Sequence, residues 1–372
     1  MASHAYPTDV SMSPQPEERV ASADALIRAK ARELGFEAVG VARADLELDL
    51  DFERYQEFIG AGMHGEMDWL AENAEARRRL DTSDILEGAK SVICVARRYK
   101  RDGEAGDPDT AKTIARYARG HDYHNVVRRK LRRLAAFVRR LGTASSPVLA
   151  RPLIDDAPLL ERAWAARAGL GFVGKNGLII VPGEGSFVLL GEVVTTLALT
   201  PDTPMTERCG SCRLCIDACP TGAFARPFVL DPRKCVSYLT IEHRSSIEPG
   251  LRDAVGEHLF GCDDCQTVCP FNASSRPRDP ERTRTFEPLE RWTTVDLGSL
   301  LQMDPDAWER VSAGSPLKRA TSDGLARNAA IVLGNRKAPE SLQALRFAVE
   351  HHPSSDVRET AGWAVQKIVE GI

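Results

Sequence analysis

The sequence predicts a multidomain chain of mixed α+β and α/β character. An α/β unit spans 21–205, a cysteine-rich segment 206–275 and a helical tail 276–372, behind a Pro/Ser/Glu-rich lead-in over 1–20 that is expected to be disordered. Three observations carry this division. The 372 residues suffice for two or three domains with real cores. Short apolar runs alternate with helical periodicity in the first half, as in α/β units. Eight of the nine cysteines lie between Cys209 and Cys269, in a stretch too poor in apolar residues to build its own core.

The elements follow in order. Val20–Leu34 has helical apolar spacing and is closed by Gly35. Ala38–Val41 and Ser91–Ala96 read as short buried strands, the second carrying Cys94 as a small hydrophobe. Val126–Leu141 is a basic amphipathic helix, with Leu131, Leu134, Phe137, Val138 and Leu141 on one face. Pro158–Ala168 is a helix ended by Gly169, and Asp155 and Asp156 stand where an N-cap would. Leu178–Val181 and Phe187–Thr195 are strands joined by the turn 182–185. After a polar linker, Ser274–Arg284, the runs Arg327–Gly334 and Arg358–Val365 echo each other 31 residues apart. Such an echo fits stacked HEAT-like repeats, or two unrelated amphipathic helices. As a separable unit, the tail should be removable after residue 285 without harm to the rest.

Composition excludes several classes. Forty-nine basic against fifty-three acidic residues give a net charge of −4, which argues against a protein that coats nucleic acid and leaves room only for a local basic surface. The clustered arginines between Arg128 and Arg140 read first as the solvated face of their helix. Apolar runs fall far short of the ~18 residues of a membrane span, and the lead-in has neither an apolar signal core nor a twin-arginine signal. A cytosolic, monomeric chain with no membrane partner is expected.

The cysteines are specific. Cys209-x2-Cys212-x2-Cys215-x3-Cys219-Pro220 matches the bacterial ferredoxin run, in which the fourth thiolate turns away to another cluster. Cys262-x2-Cys265-x3-Cys269-Pro270 repeats its ending, with Cys235 between them. Two 4Fe-4S clusters need eight thiolates, and eight are present. By symmetry Cys209, Cys212, Cys215 and Cys269 hold one cluster, and Cys219, Cys235, Cys262 and Cys265 the other. Cys235, 27 residues before Cys262, departs from the ferredoxin spacing. A tetrahedral zinc site would leave the third cysteine of the first run unused. This is a ferredoxin-like wire for electrons. A mere carrier would need little more, so the flanking residues imply a separate place where electrons do chemistry.

Several stretches together resemble the epoxyqueuosine reductase family of queuosine tRNA modification: His64-Gly-Glu-Met67, 86–92, Ala115–His124, Asp155–Arg162, Ala168–Asn176, Cys235–Arg244, Gly261–Pro270 and Arg327–Asn335. The match runs in the same order from about residue 20 to 370. The resemblance implies a cobalamin-binding catalytic domain in the first part, with the cofactor held against the first cluster and reduced by an unidentified low-potential electron donor. The reaction it implies removes the epoxide oxygen of the modified guanine at the tRNA wobble position. Asp155 matches the family's proton donor, for which a carboxyl with a raised pKa is expected. Arg79, Ser237, Arg244, Cys262 and Asp263 match cofactor-site positions of the family, and Ile179 would be an apolar neighbour. Tyr117, Tyr123, His124 and Asp155 complete the expected cofactor and substrate pocket. His243 lies where the family contacts RNA, and Lys318 and Arg319, just before the repeat helices, read as phosphate contacts. Thr82 stands where the family usually has Pro. The alternative is a cobalamin-dependent reductive dehalogenase-like enzyme acting on a small molecule, which usually carries an export signal and lacks the helical tail.

Overall fold

The computed structural model describes residues 16–273 and 280–371. Most of the expected lead-in and the start of the expected linker lie outside these. The first helix, Pro16–Glu33, begins before the Val20 boundary that the apolar spacing indicated.

Six strands follow in the N-terminal unit: β1 (Ala38–Arg43), β2 (Ser91–Arg98), β3 (Ala150–Leu153), β4 (Phe172–Val173), β5 (Ile179–Ile180) and β6 (Val188–Thr195). Four of them form one sheet in the order β1-β2-β6-β3, and every neighbouring pair is antiparallel. This corrects the α/β expectation, which calls for parallel strands. The excursion between β1 and β2 returns to the end of the sheet it left, so β2 runs back against β1; a crossover to the opposite end would have made the pair parallel. The expected hairpin of 178–181 with 187–195 is also absent. Both edges of β6 are taken by β2 and β3, so β5 pairs with β4 instead, a strand the sequence did not announce.

Helices cover both faces of this sheet, which is why all eight positions of β2 are buried. On one face Ile27, Leu34, Leu131, Leu134 and Val138 meet Val41, Ile93, Val95 and Val193. The helix Tyr123–Arg139 presses close here: a Cβ on Gly191 would lie 2.7 Å from Leu131 Cδ1. On the other face Trp164 and Ala165 meet Val92, Cys94, Ala96 and Val194. Fully burying such a side chain contributes roughly 1.5–3 kcal/mol.

The tail helices Thr321–Arg336, Leu342–His351 and Ser355–Glu370 pack together, but their core is not theirs alone. Ile114, Ala118, Leu259 and Phe260 join Trp292, Leu317, Ala329, Val332 and Leu345 in one cluster. Ile331 packs with Val236, Leu239 and Val255 of the cysteine-rich segment. The buried Arg327 donates to the carbonyls of Leu239 at 2.7 Å and His243 at 2.9 Å. Its echo Arg358 instead donates to the His352 and Pro353 carbonyls beside its own helix. Among the described residues no helix is long and apolar enough to cross a membrane.

Candidate active site and cysteine centre

The eight clustered cysteines are free thiols, each partly or fully buried, and Cys94 lies apart in the sheet. Lys175, in the loop after β4, donates to the carbonyls of Cys212 at 3.0 Å and Gly210, fixing the first run against the N-terminal unit. The helical turns Leu214–Asp217 and Asp264–Thr267 pack against each other, and Cys219 and Cys269 follow them. Cys269 and Cys209 meet on Phe172 and Ile180, while Cys235 and Cys262 meet on the cluster around Val236.

Burial is the main cause that raises the thiol pKa values here, to about 11 for Cys209 and in the same direction for Cys215, Cys235, Cys262, Cys265 and Cys269. Lesser contributions come from neighbouring thiolates. Cys269 acts on Cys209 and Cys215, and Cys212 on Cys215 and Cys269. Cys219 acts on Cys235 and Cys265, and Cys235 on Cys262 and Cys265. Two neighbourhoods of four thiols result, with Cys215 acting on Cys265 across the gap. Thiols crowded this way ionise together only against strong positive charge, which cluster iron supplies. The residues fit iron–sulfur clusters.

A second constellation forms just beyond β3. Asp155 takes φ +35°, a region that non-glycine residues rarely adopt. Its N–H donates to Glu161 Oε1 at 2.7 Å, and the Asp156 N–H turns back to the Ile154 carbonyl. Asp155 Oδ2 accepts from the Tyr123 hydroxyl and faces His124 Nε2 at 3.1 Å. Asp122 caps the helix Tyr123–Arg139 by accepting the His124 N–H, and faces His124 Nδ1 at 2.8 Å. Both ring nitrogens thus meet carboxylates, which only the imidazolium satisfies as a double donor. Burial opposes that charge, but the bonds to Asp122 and Asp155 prevail and push the His124 pKa up to about 9.

This arrangement corrects the expectation for Asp155. Burial pushes its carboxyl up, but the hydrogen bonds from His124 and Tyr123, with the charges of His124 and Arg319, hold it below the usual carboxylate range. Its proton is therefore held by its neighbours at rest. The capping expectation fails as well. The helix begins only at Glu161 with Leu160 at its N-cap, and Asp156 pairs with Arg128 instead. Half of the Asp155 side chain remains exposed, so the carboxylate is reachable from outside.

The other expected residues divide. Tyr117 stands edge-on to Tyr123, centroids 5.7 Å apart, and also touches Phe260. Asp263 accepts from the Arg116 N–H at 2.8 Å, and Ser237 Oγ accepts the Cys262 N–H at 3.0 Å. Gly261 lies so close to the N-terminal unit that a Cβ there would be 2.6 Å from Ala115 Cβ. Tyr117, Ser237, Cys262 and Asp263 thus form one wall from the Asp155 constellation to the cysteines. Arg319, tied to Glu242 at 2.8 Å and stacked over Trp69, adds its charge to this site from the tail. Arg244 bonds the Ile241 carbonyl, and His243 Nε2 faces the Ser246 carbonyl at 3.1 Å. Arg79 is engaged by Asp81 at 2.8 and 2.9 Å, Lys318 by Glu309, and Ile179 is buried in the sheet core beside Trp164. Sequence reasoning gave no role to Glu161, Glu192 or Lys175. The signal for Glu192 was a lone charge inside the apolar strand run Phe187–Thr195.

A cysteine array docked on a separate unit with its own acid–base residues defines an iron–sulfur oxidoreductase with a distinct catalytic domain. Residues 208–272 match the 4Fe-4S double cluster binding domain family, and residues 79–155 match the family described as Epoxyqueuosine reductase QueG, DUF1730. The chain is 38% identical over 348 residues to the epoxyqueuosine reductase of Xanthomonas campestris pv. campestris, spanning 92% of this chain and 95% of that one. It superposes on an epoxyqueuosine reductase with an epoxyqueuosine-modified tRNA-Tyr stem loop at TM-score 0.82 and 30% identity, covering 94% of this chain and 91% of that one. It superposes equally, at 0.82 and 29% identity over the same shares, on the Bacillus subtilis epoxyqueuosine reductase with its catalytic aspartate loop swung out of the active site. The chain belongs to the epoxyqueuosine reductase family.

Proposed function

We propose that the chain reduces epoxyqueuosine at the wobble position of tRNA to queuosine, using cobalamin fed with electrons through two 4Fe-4S clusters and Asp155 as the proton donor. The observation that carries this reading is the Asp155 carboxylate, half open to solvent yet bonded to Tyr123 and His124, on a wall that continues to the cysteines. The catalytic aspartate loop of the Bacillus subtilis enzyme and the tRNA stem loop bound by another relative support it.

Cysteines 209, 212, 215 and 269 would hold one cluster and 219, 235, 262 and 265 the other, matching the two thiol neighbourhoods. The corrin rim is rich in amides. Asn176 Nδ2 and His64 Nδ1 are buried without partners in the structure, and such atoms are costly unless something satisfies them. They would hold the rim together with Tyr117, Ser237, Arg244, Cys262 and Asp263. When bound, cobalamin and the clusters supply the two electrons at carbon. Two protons complete the balance, so that the epoxide oxygen leaves as water and an alkene remains. Asp155 hands a proton to that oxygen and is recharged by His124, whose imidazolium Asp122 orients. His243, Lys318 and Arg319 contact the RNA, and the tail helices serve as HEAT-like repeats under it. In this reading the units are 21–205, 206–275 and 276–372, and the enzyme works as a cytoplasmic monomer with a low-potential donor.

The test is anaerobic reconstitution with iron, sulfide and cobalamin, followed by nucleoside mass analysis of tRNA carrying the epoxide. Loss of one oxygen from that nucleoside is expected. An unchanged nucleoside with fully loaded protein would refute the reading.

A further inference from the structure

Glu192 sits in the middle of β6, opposite Cys94 of β2 and Leu153 of β3, and is 0% exposed. Side chains alternate along a strand, so Glu192 shares the sheet face of Val194, the face covered by the helix Glu161–Arg167. Among the described residues no N–H or hydroxyl reaches either of its carboxylate oxygens. The polar group it meets is the Glu161 carboxyl at the start of that helix. Two buried carboxyls in contact cannot both be ionised, whereas one shared proton turns their repulsion into a hydrogen bond.

We propose that Glu161 and Glu192 form a proton-sharing carboxyl pair that positions Asp155: Glu192 donates to Glu161, and Glu161 in turn accepts the Asp155 N–H and holds its left-handed backbone. The proposal rests on the reading of Asp155 as the proton donor. The chain of contacts runs from the sheet core to the catalytic turn, and its one hydrogen bond to Asp155 is 2.7 Å long. Such a backbone conformation persists only where its surroundings enforce it, and the Glu161 carboxylate is the anchor on its amide. The groups facing the pair are Asp155 beyond β3, His124 and Tyr123 from their helix, Arg162 beside Glu161, and the Cys94 thiol across the strand. Burial, then the Asp155 charge, pushes the Glu161 pKa up to about 7, and burial raises that of Glu192 well above the carboxylate range. The shared proton is therefore present in acid and lost as pH rises through neutrality and beyond.

Infrared spectroscopy of the chain, before any cofactor is loaded, reads the pair directly. A protonated-carboxyl carbonyl band is expected at neutral pH, absent from Glu192→Gln and retained at a shifted frequency in Glu161→Gln, where the buried Glu192 keeps its proton but bonds an amide. In the loaded enzyme, Glu192→Leu leaves Glu161 without a donor, and kcat should fall roughly 10²-fold with KM little changed, the scale of a misplaced catalytic group. Glu192→Gln, whose amide donates to Glu161 at every pH, should remove the fall of kcat expected of the wild type as pH rises through neutrality, leaving only the later fall near pH 9 where His124 loses its proton. A merely structural Glu192 would leave the pH profile where it was. The proposal is overturned by a missing carbonyl band, or by a Glu192→Gln profile identical to wild type. Asp155→Asn in the same assay separates the two ideas: if it turns over normally, the proton-donor reading is wrong, whereas a dead Asp155→Asn beside wild-type-like Glu192 variants sinks the pair alone.

Discussion

At Asp155 the chemistry depends on which neighbour stores the proton. In the proposed reaction, the lowered pKa of Asp155 and the raised pKa of His124 make transfer a relay rather than release from an acid with a raised pKa. Asp155→Asn keeps the shape but cannot carry the proton, and turnover should fall by roughly 10²–10⁴ while RNA binding persists. Asp156→Asn should be mild, because its side chain is 62% exposed and loses only the pairing with Arg128. The His124 pKa is raised, so the stability its partners confer is complete below its ordinary value of 6.5 and is lost as pH rises through about 9. NMR titration of its ring should give a midpoint near 9, and a value near 6.5 would mean the bonds to Asp122 and Asp155 are not formed in solution.

Among the elements, the cysteine run was legible as a 4Fe-4S binding segment because its spacing is its chemistry. The eight clustered thiols are expected to bind about eight irons and eight sulfides per chain, read by metal analysis after anaerobic purification. Cys94→Ser should leave that count unchanged. Cys219→Ser should disturb the cluster of Cys235, Cys262 and Cys265 in electron paramagnetic resonance, although it lies in the other run. Strands were legible as apolar runs, but their partners were not, since pairing depends on connections tens of residues long. Hence β6 was found and its edges misassigned, while β3, with Arg151 and Pro152 at its centre, carried no strand signal. The helix after Asp155 was placed too early because Pro158 is tolerated in a first helical turn. Leu131, buried against Gly191, is the clearest test of the sheet packing: Leu131→Ala should cost about 2–5 kcal/mol in denaturant unfolding.

Over the whole molecule, the sequence divided the chain more cleanly than the structure does. Cutting after residue 285 would strip Ile114, Phe260, Val236 and Leu239 of their partners in the tail, so the truncated chain should lose its cluster region as well as the tail. Charge reversal at Lys318 and Arg319 is the gentler probe. Both are surface groups, and the pair should weaken tRNA binding and reduce the slope of log affinity against log salt by roughly 0.7–0.9 for each phosphate contact removed. The contact between the cysteine wall and Asp155 was invisible in the sequence, because it depends on Gly261 closing on Ala115 and on Tyr117 bridging Tyr123 to Phe260. The most direct measurement of that coupling is a single-turnover titration of the loaded, prereduced enzyme with epoxyqueuosine tRNA, counting electrons consumed against nucleosides that lose oxygen. One deoxygenated nucleoside should appear for every two electrons, and none at the wild-type rate in Asp155→Asn; electron consumption without oxygen loss, or wild-type conversion by Asp155→Asn, would show that the clusters and Asp155 do not serve one reaction.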